Sequence, residues 1–146
     1  MIVRLALAMT VAAVAATAVV AQSDPIAARK AVMKTTGQQT AIGAKMVKGE
    51  EPFDLNKAKT VFATYQDTAA KMPALFPDTA KSGGESTASP KIWESNADFK
   101  ARFAKFGEDA KAAGASVKDL DGFKAAFGAV TKNCGGCHET YRIKKS

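Results

Sequence analysis

Histidine and cysteine are nearly missing from this 146-residue chain: it has one His and two Cys. A chain this short gives one domain rather than two. With so few metal-binding and nucleophilic side chains, a disulfide-stapled scaffold and a Cys/His zinc cluster are both excluded as the basis of the fold. Tryptophan occurs once and tyrosine twice. β-branched runs are absent beyond the first twenty residues, so nothing predicts strands. The 24% charged and 47% apolar residues are those of an ordinary soluble domain. The formal charge is +7 from 21 basic and 14 acidic residues, with the basic ones spread along the chain. That spread lacks the dense stripe of a nucleic-acid binder. The scarce residues are also placed unevenly, since Cys134, Cys137 and His138 fall within five positions.

The N-terminus has the layout of a secretory signal peptide. A basic start, Met1–Arg4, precedes an Ala/Val-rich run from Leu5 to Val20 that ends in small residues. We expect residues 1–21 to be a signal peptide cleaved after Ala21, with export to the periplasm. The alternative is a membrane anchor, but the run falls short of the ~20 residues a spanning helix needs. We therefore expect no membrane insertion after signal removal. Residues 22–146 form the mature domain, which loses Arg4 and carries a charge of +6.

The mature sequence predicts four amphipathic helices. Ser23-Asp24-Pro25 starts the first, which runs to Lys48 and stops at Gly49. Its inward stripe is expected at Ile26, Met33, Gly37, Thr40, Ala44 and Val47, with Gly37 and Gly43 marking a bulky neighbour or a close backbone approach. Asp54 caps the second helix, whose inward residues are Leu55, Ala58, Phe62, Tyr65, Ala69 and Met72, before Pro73 and Pro77. Asp78–Ser89 is the one long loop. A third helix from Pro90 to Gly114 carries Ile92, Asn96, Phe99, Phe103, Phe106, Ala110 and Ala113. A fourth, from Lys118 or Asp119, carries Leu120, Phe123, Phe127, Val130, Cys134, Cys137 and Tyr141. Gly135-Gly136 disfavours helix, but the stripe continues through it to Tyr141. The fold class is all-α: an antiparallel up-down-up-down four-helix bundle.

Cys134-Gly135-Gly136-Cys137-His138 has the C-x-x-C-H spacing of covalent c-type haem attachment. Two thiols at i and i+3 share a helical face, so both reach the vinyl groups of one porphyrin. The next residue offers an imidazole to the iron. A thiol–disulfide redox site would come with a βαβ pattern, and a zinc site would need a fourth ligand. A Cys134–Cys137 disulfide is the simplest alternative, and it leaves the lone His without a purpose.

A C-terminal C-x-x-C-H followed by Tyr141-Arg142 on the last helix of a small bundle resembles the class II cytochromes c. These include cytochrome c′ and the low-spin cytochrome c-556 type. The stretches Lys48-Gly49-Glu50 with Phe53-Asp54, Pro73 to Pro77, and Pro90-Lys91-Ile92-Trp93 resemble landmarks of that family in the same order. The resemblance implies one covalent haem c on a periplasmic electron carrier, frequently a homodimer; with the only His committed to iron no acid/base constellation remains, so we expect no enzyme. His138 is the only candidate for the proximal iron ligand. By helix register Met33 stands level with the haem, Met46 is ~20 Å further along, and Met72 shares the right height. The resemblance favours Met33, because Val32-Met33-Lys34 with Gly37 is similar to the c-556 ligand segment. Met33 as simple packing is the alternative. In cytochrome c′ the matching position leaves iron five-coordinate and open to NO or CO. Arg29 and Arg142 are candidates for haem propionate contacts, or else solvated charges. Lys132, Arg142, Lys144 and Lys145 would steer an acidic redox partner protein, or else simply offset the helix dipole.

Overall fold

The computed structural model describes residues 24–144; the expected signal peptide and Lys145 lie outside them. Five α-helices follow in order among the described residues: α1 Pro25–Lys48, α2 Leu55–Lys71, α3 Lys91–Glu94, α4 Asn96–Ser116 and α5 Leu120–Tyr141, with short 3-10 turns at Met72–Leu75 and Asp78–Ala80. The short α3 leads into α4, so α1, α2, α4 and α5 make a four-helix bundle. Among the described residues no helix is long and apolar enough to cross a membrane.

Local chemistry sets the helix ends. The Asp24, Asp54 and Asp119 side chains accept from the backbone N–H groups of Ile26, Lys57 and Gly122 at 2.8–2.9 Å. Each satisfies a donor that the first turn leaves without a partner. Gly49 closes α1 in the left-handed region at φ 74°, where a side chain would be strained.

Two expectations need correction. The third helix is not continuous: Ser95, at φ −123° and ψ 46°, leaves helical geometry and splits it into α3 and α4. Asn96 then donates its side-chain amide to the Ile92 carbonyl at 3.3 Å. That helix also runs through Gly114 to Ser116. On α1 the buried residues are Ile26, Arg29, Thr36, Gly43 and Met46, a stripe rotated from the expected one. Val47 and Ala44 are only half-buried.

The core is aromatic. Phe62 meets Phe123 edge-on at 5.6 Å, Tyr65 lies 5.3 Å from Phe106, and Phe99 touches Phe103 at 5.1 Å and Tyr141 at 5.2 Å. Such pairs add about 0.5–1.5 kcal/mol each to the area they bury. Gly43 lets α1 approach α5: a Cβ there would lie 2.4 Å from Phe127. The α1–α2, α2–α4 and α4–α5 pairs pack closely, whereas α1 and α5 touch much less. At the end where α1 begins and α5 finishes, the space between them widens into a cavity.

Candidate haem site

That cavity has a volume of about 780 Å³, within the ~300–1,000 Å³ typical of cofactor pockets. Cys134, Cys137 and His138 line its α5 wall, and Met33, Gly37 and Thr40 line its α1 wall. Phe99, Phe103 and Phe106 of α4 serve both as core and as its floor. The expected inward stripe of α1 is therefore two surfaces. Ala44 and Val47 pack on the core, whereas Met33, Gly37 and Thr40 line the cavity, Thr40 also pairing its hydroxyl with that of Tyr65 of α2 at 2.8 Å.

The Gly135-Gly136 pair is fully helical, so Cys134 and Cys137 share a face one turn apart. Both thiols are free and half-buried in this structure. Burial pushes both thiols above their ordinary pKa. Burial, and then the charge of Arg142, lower the pKa of His138. That direction favours the neutral imidazole, the form that binds a metal, although the His138 side chain itself is exposed at the cavity wall. An apolar slot with two reduced thiols and a neutral imidazole along one wall fits a porphyrin attached through its edge.

Two further methionines fall where helix register places them. Met46 is 1% exposed in the core and takes no part in the cavity wall, whereas Met72 lines it while 4% exposed. Met33 is half-buried, with part of its surface turned to the cavity.

Arg29 is neither solvated nor idle. It is 5% exposed, and its guanidinium donates to the Leu75 carbonyl at 3.4 Å, the Ala80 carbonyl at 3.1 Å and the Ser86 hydroxyl at 2.7 Å. It also lies 4.7 Å above the Phe76 ring. Three of its five N–H groups are thus engaged, and the side chain also lines the cavity. The held segment crosses the cavity edge as a strap, with Ser86, Thr87 and Ala88 in the cavity wall. The end of α5 secures its far side, since Ser89 N–H donates to the Tyr141 carbonyl at 3.0 Å and Ile143 N–H to the Thr87 carbonyl at 2.8 Å. Arg142 is exposed at the rim.

Several wall residues carry no sequence signal. Arg102 sits four residues after Asp98, like any surface ion pair, yet it lines the cavity. Thr36 reads as a polar interruption of α1. In fact it is buried, and its hydroxyl pairs with that of Thr68 at 2.8 Å. Trp93, by contrast, is spent structurally, donating its indole N–H to the Phe76 carbonyl at 3.1 Å.

Comparison with known proteins agrees with this geometry. The family model described as Cytochrome C' matches residues 24–142. A cytochrome c′ of Rhodopseudomonas palustris is 46% identical over 127 residues, 87% of each chain. A cytochrome c-556 of the same organism is 34% identical over 134 residues, 89% of this chain and 90% of that one. The solved cytochrome c′ of R. palustris superposes with a TM-score of 0.83 at 45% identity, covering 86% of this chain and all of that one. Together with the C-x-x-C-H motif on the cavity wall, these likenesses establish that the chain belongs to the cytochrome c′ family, is a c-type monohaem protein, and has haem c as its covalent cofactor.

Proposed function

We propose that this protein is a low-spin one-electron carrier of the periplasm. In this reading Cys134 and Cys137 hold the haem by thioethers, His138 is the proximal iron ligand and Met33 the distal one. The observation that supports it is that Met33 of α1 and His138 of α5 line one and the same cavity. Met72 is packed into the core, while Met33 keeps surface toward the cavity. When bound, the haem supplies an iron that cycles between two oxidation states, and His/Met ligation raises its potential. The chain's own residues do the rest. Met33 would supply the sixth ligand and would thereby exclude gases and water. Phe99, Phe103 and Phe106 keep the floor apolar. Arg29 and Arg142 offer donors to the propionates at the rim. No catalytic residues are assigned, because the only imidazole is committed to iron.

Export with cleavage after Ala21 supplies the oxidised, periplasmic setting. The exposed Lys132, Arg142 and Lys144, with Lys30 and Lys34 at the cavity mouth, give the haem-bearing end a basic face suited to an acidic redox protein. A homodimer is the assembly we propose by family likeness, and its check is the mass in solution.

The second reading is an open distal side that binds NO or CO. The higher identity to a cytochrome c′ than to a cytochrome c-556 favours it. Absorption spectra of the ferric and ferrous holoprotein separate the two. Met33 ligation predicts a low-spin ferric spectrum that becomes high-spin in Met33→Ala, with slow CO binding to the wild type. A high-spin wild type, or a spectrum unchanged by Met33→Ala, overturns the ligand assignment.

A further inference from the structure

The Gly135-Gly136 pair poses a mechanical problem. Each Gly costs a helix interior ~1 kcal/mol relative to Ala. Packing does not demand either one, since a Cβ at these positions would meet nothing within 4 Å. The weakest turn of α5 is thus the turn that carries Cys137 and leads into His138. Yet the helix continues unbroken to Tyr141.

Ties from α4 bracket that turn on both sides. Before it, the Asn133 side-chain amide donates to the Asp109 carboxylate at 2.9 Å. Within it, Arg102 donates from one terminal nitrogen to the Gly136 carbonyl at 3.0 Å and from Nε to Asp98 at 2.8 Å. After it, the Tyr141 hydroxyl donates to the same oxygen of Asp98. The Arg102 guanidinium lies 5.4 Å from the Tyr141 ring, so the three side chains form one bracket. Exposed ion pairs such as Asp98–Arg102 contribute little to global stability. What this pair does locally is anchor a main-chain carbonyl two residues before His138 and a side chain three residues after it.

We propose that Arg102 and Asp98 are positioning residues for the haem. They fix the helical phase of the Cys137–His138 turn, and with it the plane in which the imidazole meets the iron. The inference rests on His138 being the proximal ligand, and it holds whether or not Met33 ligates. It requires the planar fork of Arg, which spans Gly136 and Asp98 together. A lysine, as a point charge, reaches one of them at a time.

The test uses the holoprotein with Arg102→Gln, Arg102→Lys and Asp98→Asn. Two readouts apply: amide hydrogen exchange of residues 135–140, and the hyperfine-shifted haem-methyl resonances of the ferric protein, which report the orientation of the axial imidazole. We expect all three variants to exchange these amides about tenfold faster, against the local opening of the wild type. We also expect them to redistribute the methyl shifts while the exchange of α2 amides stays unchanged. Wild-type exchange and shifts in Arg102→Gln and Asp98→Asn overturn the proposal. So does an Arg102→Lys variant indistinguishable from wild type, which would reduce Arg102 to a charge. A wild type lacking hyperfine-shifted imidazole signals would instead fault the His138 assignment, and so separates the two failures.

Discussion

Replacing Arg29 with Met tests the strap most sharply. Met roughly keeps the volume and removes the fork, so the Leu75 and Ala80 carbonyls lose a charged donor. The Ser86 hydroxyl loses one too, though it still accepts from Ala88 N–H at 3.2 Å. A buried carbonyl left without a donor costs about 1–3 kcal/mol. The lost contact with Phe76 adds about 0.5–2 kcal/mol. Against these stands the desolvation of the guanidinium, which burial makes unfavourable enough to lower its pKa, with nearby Asp24 opposing that shift. The net expectation is a loss of about 2–4 kcal/mol. At about 4 °C per kcal/mol for a domain of this size, Tm falls by about 8–16 °C. Thermal melts of the holoprotein followed by far-UV circular dichroism measure it, with Lys30→Met as the control. Lys30 makes one exposed contact, to the Gly84 carbonyl at 3.2 Å, so its loss stays within about 0.5 kcal/mol. An Arg29→Met protein that melts within 2–3 °C of the wild type, on that same scale, refutes the idea that this side chain fastens the strap.

Three other outcomes follow from single contacts. Gly43→Ala drives a methyl against Phe127 at 2.4 Å and loses about 1–3 kcal/mol in urea unfolding, whereas Gly128→Ala, with nothing within 4 Å, gains about 0.5–1 kcal/mol. Burial raises the Tyr65 phenol from 10.0 to about 12. Its contribution to stability is therefore complete below pH 10 and is lost as pH rises toward 12; Tyr65→Phe flattens the alkaline stability profile across that window. Electron-transfer rates with an acidic redox protein fall as salt rises, and Lys132→Glu with Lys144→Glu lowers the low-salt rate; a rate indifferent to ionic strength removes the steering role.

Much of this was legible from residue spacing. Asp24, Asp54 and Asp119 cap helices where the sequence predicts starts, and the apolar period of α5 correctly carries the helix through two glycines. The site motif is readable because its chemistry is local: two thiols and an imidazole within one and a half turns. The departures have separate physical causes. On α1, Met33, Gly37 and Thr40 repeat with the same period as a core stripe, so period alone cannot separate a face that lines a cavity from one that packs on a helix. The break at Ser95 preserves the phase of Ile92 and Phe99, and a preserved phase hides a kink. Arg29 and Arg102 work through carbonyls of distant segments, Leu75 and Ala80 for one and Gly136 for the other. Main-chain acceptors leave no trace in side-chain patterns.

Everything at this site depends on one porphyrin being covalently joined to Cys134 and Cys137. Intact mass of the protein purified from a host competent in cytochrome c maturation tests it most directly. The expected result is a single species at the mass of the polypeptide from Gln22 onward plus one haem, with the added mass mapping to the peptide containing both cysteines. A colourless protein at the mass of the bare polypeptide, or a haem released intact by acid and acetone, contradicts it.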